Sequence, residues 1–247
     1  MIYNANLNDG FIISLLHLNR YYGITQNPET KDFVIIMKYY TYDLKHYITK
    51  NFYSIEWNNK LILLQQIIHA LHNIHCQEII HRDFHSGNIL CDNEYNVVIS
   101  DLGISKLSTE ASVDENGYYG IIPYIAPEVL QGQKSNKYTK ASDIYSFGMI
   151  MWELMTGRRP FWDQNYDIEL IIKICDGIRP TINTNAPEGY IELIQKCWHS
   201  DPNKRPTTGV IRESVYKIIL NEKKNKLRLL TRLILDLLVY LQNQQGV

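Results

Sequence analysis

Two short blocks carry residue types that could do chemistry. His81-Arg82-Asp83-Phe84-His85-Ser86-Gly87-Asn88 sets a carboxylate and a carboxamide five residues apart, and Asp101-Leu102-Gly103 brings a second carboxylate thirteen residues after Asn88. Moving a phosphoryl group onto a hydroxyl needs one carboxylate to orient the attacking oxygen and accept its proton. It also needs further oxygen ligands that hold Mg²⁺ against the phosphates. Asp83, Asn88 and Asp101 supply these three groups. A tight loop would let Asp83 and Asn88 converge, and a chain reversal would return Asp101 to the same place.

The pattern around the blocks provides those elements. The runs Asn88 to Cys91 and Val97 to Ser100 flank the turn-forming segment DNEYN and read as a small hairpin. Ahead of them, Trp57, Leu61, Leu64, Ile67, Ile68 and Leu71 recur at three- and four-residue steps, which predicts a long amphipathic helix ending near Cys76. Earlier still, YYGIT (21–25) and FVIIMKYY (33–40) read as two strands joined by a loop. Beyond residue 127 the segments Ser142 to Met155, Asp167 to Cys175, Gly189 to Trp198 and Thr207 to Leu220 read as helices, punctuated by Gly and Pro. A few strands followed by many helices predict an α+β fold.

These motifs resemble those of the eukaryotic protein kinase domain. Besides the two blocks, Pro123-Tyr124-Ile125-Ala126-Pro127-Glu128 is similar to the end of an activation segment. Ser142 to Gly148 is similar to the central helix of the large lobe, and Cys197 to Pro202 with Arg205-Pro206-Thr207 to the close of that lobe in tyrosine kinases and tyrosine-kinase-like kinases. The resemblance implies a protein-kinase-like fold and transfer of phosphate from ATP, with Mg²⁺, to protein Ser/Thr or Tyr hydroxyls. It implies that Asp83 is the base, that Asn88 and Asp101 ligate the metal, and that Arg82 answers to a phosphorylated activation loop. Met37, Lys38, Tyr39, Tyr40, Asp43 and Leu90 would border the nucleotide, Met37 as gatekeeper. His81, Gly103, Glu128, Asp143 and Arg205 would be structural, Glu128 pairing with Arg205 and Asp143 bonding the catalytic-loop backbone.

The sequence departs from the family at its front. No GxGxxG occurs, and ahead of the hinge the only lysine is Lys31 and the only glutamate Glu29, both in the loop before the second strand. The expected division is therefore an unassigned segment 1–18, a small-lobe remnant and hinge 19–40, a large lobe 41–220 and an apolar helical extension 221–247. The resemblance spans roughly 19 to 220 and begins at the fourth small-lobe strand. Weak nucleotide binding is expected, and the alternative reading is a catalytically inactive kinase-like module or a truncated gene fragment. Within the catalytic loop His85 stands where Ser/Thr kinases usually carry lysine, and ahead of Tyr124-Ile125-Ala126-Pro127-Glu128 Ile121 stands where they usually carry threonine. Ser105, Ser108, Thr109, Ser112, Tyr118 and Tyr119 are candidate acceptors in the activation segment.

Composition limits the other possibilities. With 25 basic and 26 acidic side chains, nothing draws the chain as a whole to nucleic acid or an anionic membrane. Four dispersed cysteines predict reduced thiols and a cytoplasmic setting. The short apolar stretch Phe11 to Leu16 lacks the flanks of a signal peptide. His69, His72, His75, His81 and His85 form no ligand quartet with Cys or carboxylates, and Trp152, Trp162 and Trp198 read as packing residues. From Leu227 to Leu241 the sequence is apolar except for Arg228, Thr231, Arg232 and Asp236. That is too short and too charged for a membrane span, so residues 222–247 are expected to form a helix that covers the large lobe or mediates self-association. A protein substrate or partner completes the expectation.

Overall fold

The computed structural model describes residues 19–92, 96–108, 120–132, 138–183 and 185–245, with no account of the side chains of 237–245. The stretch Phe11 to Leu16, the middle of the DNEYN turn and the candidate acceptors Thr109, Ser112, Tyr118 and Tyr119 lie outside the described residues. The strands are β1 (Tyr21–Gln26), β2 (Phe33–Met37), β3 (Tyr42–Asp43), β4 (Ile79–Ile80), β5 (Ile89–Cys91), β6 (Val97–Ile99) and β7 (Lys106–Leu107). The helices are α1 (Leu44–Asn51), α2 (Trp57–Cys76), α3 (Pro127–Leu130), α4 (Lys140–Thr156), α5 (Ile168–Cys175), α6 (Tyr190–Cys197) and α7 (Thr208–Gln245).

Among the described residues all strand pairing is antiparallel. β1 pairs with β2, with Thr25 opposite Val34; β5 joins β3 to β6; β4 pairs with β7. The β5–β6 hairpin and the long helix α2 form where the periodicity places them. The two-residue strands β3, β4 and β7 are too short to leave a period-2 signal.

The core is built around α4. Every residue from Ser142 to Met155 is buried, as befits a helix apolar on all sides. Its start is fixed by a reciprocal cap, in which Thr139 Oγ1 accepts from the Ser142 amide and Ser142 Oγ accepts from the Thr139 amide. Leu61, Leu64, Ile67, Ile68 and Leu71 of α2 are fully buried in the same core. Trp152 and Trp198 pack there as expected, but Trp162 does not. It is 56% exposed and lies under the Arg158 guanidinium, 4.2 Å from its ring centre. A Trp flanked by Arg, Phe and Asp reads alike in either setting.

The last helix differs from expectation. α7 is continuous from Thr208 to Gln245, about 57 Å at 1.5 Å per residue, and crosses Leu220–Asn221 without a break. Burial changes there instead. Ile211, Val215, Ile218 and Ile219 are buried, with Thr208 Oγ1 bonded to His72 Nδ1 at 2.9 Å, whereas Lys223 to Asp236 are all exposed. That described part does not cover the large lobe. The helical period tells that a helix is apolar; it does not tell in which direction its end projects.

Candidate active site

The catalytic loop follows β4 and is held from below by one carboxylate. Asp143, in the first turn of α4 and 1% exposed, accepts from the His81 amide (2.9 Å) and, through its other oxygen, from the Arg82 amide (3.1 Å). His75, at the end of α2, donates a third bond to Asp143 at 2.8 Å. A buried carboxylate is tolerated when its lone pairs are used in this way. Arg82 sits at φ +74°, a strained setting for a residue with a Cβ, and the two amide bonds help to hold it there. Its guanidinium bonds the Ile104 carbonyl at 3.1 Å and lies 4.7 Å from the Tyr138 ring centre, so it reaches the start of the activation segment.

The turn these bonds create presents Asp83. The Asn88 amide nitrogen donates both to the Asp83 carbonyl (2.9 Å) and to Asp83 Oδ2 (3.1 Å). The Asn88 oxygen is thereby turned away from Asp83. The other carboxylate oxygen, Oδ1, lies 3.4 Å from His85 Nε2. His85 beside it, with Asn88 adding to the effect, holds the Asp83 carboxyl below its ordinary range against the opposing pull of partial burial. Asp83 is therefore ionised at neutral pH, suited to accept from a hydroxyl and orient it.

The hairpin then returns the chain. The Ser100 amide and hydroxyl both donate to the Asn88 carbonyl, at 2.8 and 2.9 Å. The His81 ring bonds the Ser100 carbonyl at 3.1 Å, which makes Nε2 its protonated nitrogen; burial is the main reason its basicity falls. Asp101 comes next, exposed and at φ +58°, with Oδ1 accepting from the Gly103 amide at 3.4 Å. Asp83, Asn88, His81, Arg82 and Asp143 are thus one network, with Asp101 tied to it through its neighbour Ser100. Glu128 and Arg205 form a separate bidentate pair, both contacts 2.7 Å, with Arg205 also bonded to the His199 and Ala141 carbonyls.

The residues expected to border a nucleotide are more open. Met37 ends β2, 45% exposed, with its sulfur accepting from Asn19 Nδ2, and Tyr39 is 85% exposed. Lys38 lies over the Tyr40 ring. Asp43 and Leu90 face each other across β3 and β5, but both Asp43 oxygens are already used, capping α1 through the His46 amide and bonding the His46 ring, each at 2.7 Å. An open cleft of about 550 Å³ runs from Tyr40 past Asp43 to Leu90 and Gly87, within the size range of small-molecule sites. A larger depression, about 640 Å³ and lined by Tyr53, Trp162 and Arg179, holds none of these residues.

The oxygen set at Asn88 and Asp101 suits Mg²⁺. This hard cation takes oxygen ligands and commonly binds through one or two protein groups plus phosphate oxygens. Among the described residues no cluster of three or more His, Cys, Asp or Glu forms a metal cage. The histidines are spread over other partners, His72 with Thr208, His75 with Asp143 and His81 with Ser100.

Three contributors were missed in the sequence. His75 is one, though a histidine on the buried side of the last turn of α2 was a usable signal. Gly120 is another; at φ +110°, it lies so close that a Cβ there would sit 3.0 Å from Asp83 Oδ1. The third is the pair Tyr124 and Glu153, both buried, with the Tyr124 hydroxyl donating to Glu153 at 2.8 Å.

Comparison with family profiles matches residues 12–215 to protein tyrosine and serine/threonine kinase. The match reaches back past residue 19, where the motifs had placed its beginning. A protein of Acanthamoeba polyphaga mimivirus named as a serine/threonine-protein kinase/receptor is 34% identical over 202 residues, 78% of this chain and 12% of its own length. Receptor-interacting serine/threonine-protein kinase 4 of Mus musculus is 30% identical over 198 residues, 75% of this chain and 24% of its own length. The chain thus spans a quarter or less of these relatives. With the profile matching well over half of its residues, the chain belongs to the protein tyrosine and serine/threonine kinase family.

Proposed function

We propose that this chain carries the catalytic-loop half of a protein kinase that transfers the γ-phosphoryl group of Mg·ATP to serine or threonine hydroxyls of proteins. One observation supports this above the rest: an ionised Asp83, oriented by Asn88 and held on a loop that Asp143 anchors, stands next to the hairpin that delivers Asp101. In this reading Asp83 accepts from the acceptor hydroxyl and orients its oxygen. Asn88 and Asp101 hold Mg²⁺, which when bound would neutralise phosphate charge. The Tyr40 to Gly87 cleft takes the nucleotide. The names of the relatives favour Ser/Thr over Tyr as acceptor.

A second reading, a kinase-like module that works by binding, is favoured by the front of the chain. Lys31 lies in the β1–β2 loop at φ +64° beside Asn27 and Glu29, not on a strand facing the cleft. Phosphoryl transfer depends mostly on positioning and charge stabilisation, so the 247-residue chain is expected to show no transfer above background with Mg·ATP and a mixed peptide library. Adding a glycine loop, strand lysine and helix glutamate ahead of Tyr21 should restore it, and Asp83→Asn should abolish what is restored. Radiolabel incorporation by the three proteins decides. A silent graft favours the binding module, and robust transfer by the unmodified chain, lost on Asp83→Asn, shows the added front to be dispensable.

The exposed half of α7 supports a further part of this reading, self-association. Leu227, Leu229 and Leu233 are each more than 60% exposed on a helix apolar around most of its circumference. Removing residues 222–247 should shift sedimentation to a smaller species; an unchanged profile removes this part.

A further inference from the structure

Among the described residues, His85 is an ionisable side chain beside the base to which the proposed function gives no task. Its ring is fixed from both sides. The Gly87 amide donates to Nδ1 at 3.0 Å, so Nδ1 carries the lone pair and the neutral ring has its proton on Nε2. Nε2 faces Asp83 Oδ1 at 3.4 Å, a distance at the long end of what tightens when a site is filled. Gly87 is required for this fold-back, because a Cβ there would lie 2.9 Å from His85 Cε1 and 3.0 Å from Nδ1. The Tyr124 ring, 5.8 Å away centre to centre, covers the other side, and the imidazole is only 12% exposed.

The two oxygens of Asp83 are therefore not equivalent. Oδ2 is occupied by Asn88. Oδ1 faces His85 and, above it, the Cα of Gly120, the position where any larger residue would bring a Cβ to 3.0 Å. We propose that His85 is a positioning residue for the base. Locked as the Nε2–H tautomer by the Gly87 amide, it aims that N–H at Asp83 Oδ1 and holds the carboxylate close against Gly120, fixing the orientation from which it meets the acceptor hydroxyl. The inference rests on the reading of Asp83 as the base.

Two variants separate positioning from a merely structural role. Glutamine places an N–H near the ring Nε2 but loses the Gly87 cap, whereas asparagine keeps the cap acceptor and cannot reach Oδ1. In the front-grafted protein, His85→Gln should keep kcat within about threefold, and His85→Asn should lower kcat about tenfold with the peptide KM unchanged, the worth of one hydrogen bond to a charged group. The reverse order would show that the ring is only a cap and overturn the proposal.

A second measurement needs no activity. In the full 247-residue chain labelled with ¹⁵N-histidine, NMR should show His85 as the Nε2–H tautomer. Its Nε2 proton resonance should move in Asp83→Asn while the tautomer stays. An Nδ1–H tautomer, or an Nε2 resonance indifferent to Asp83→Asn, overturns the proposal. If no protein transfers phosphate, the kinase reading fails separately and the NMR result still decides the placement of His85.

Discussion

The β1–β2 hairpin and the catalytic loop are built on opposite terms. In the hairpin every residue of both strands is exposed, Phe33 at 78% and Ile24 at 60%, and its ladder is held by its own backbone bonds. In the catalytic loop the backbone is anchored through a side chain 1% exposed, and the loop residues bond α2, α4 and the β5–β6 hairpin. A two-stranded hairpin is marginal in water without something packed on a face. The large-lobe side of the site is thus fixed by its own core, while the hairpin side takes its order from little beyond its own ladder.

The comparison can be broken most severely at Asp143. Replacing it with Ala leaves two loop amides and a buried His75 without their acceptor, and should cost about 3–5 kcal/mol in denaturant unfolding. It should also free Arg82 from its strained backbone, visible as faster amide exchange at residues 81–83. A loss below about 1 kcal/mol would mean that the loop is held from elsewhere.

Glu153 gives a smaller, pH-dependent effect. Burial is the main cause that pushes its carboxyl up to about 7, against the opposing bonds of Ser86 and Tyr124. Its folded value lies above the unfolded one, so its contribution is fully present below about pH 4.5 and is lost as the pH rises through 7. The stability difference between the native protein and Glu153→Gln should therefore change by up to about 3 kcal/mol across that window, to the native protein's disadvantage at the higher pH. Parallel denaturation curves at pH 5 and 8 test it, and a constant difference would place Glu153 in a wetter setting.

The smallest effects belong to the hairpin. Ile24→Ser and Phe33→Ser remove exposed apolar surface and should each change global stability by no more than about 0.5 kcal/mol, with exchange of the β1 and β2 amides fast in all three proteins. A cost near 2 kcal/mol would show that the hairpin is covered in solution, and the contrast with the catalytic loop would fall.

Much of the architecture was legible because its signals are local. The 3.6-residue period of α2, the uninterrupted apolar run of α4 and the turn between β5 and β6 each follow from neighbours within one element. The spacing of Asp83, Asn88 and Asp101 likewise pointed to their grouping. Trp162 was misjudged for the converse reason, since burial depends on what else arrives at that surface.

The order of elements, the type of each long helix and the small group of residues at the catalytic loop were determined by the sequence itself, through periodicity and spacing. Tertiary structure alone decided which oxygen of Asp83 is taken and which is left, because Asn88, His85 and Gly120 meet there through a turn held by Asp143 sixty residues further along the chain. It also decided that His85 is held in one tautomer, since a glycine two residues on leaves room for the ring to fold back on its amide. Hydrogen-bond direction and close approach are properties of three-dimensional placement, and no pattern along the chain encodes them.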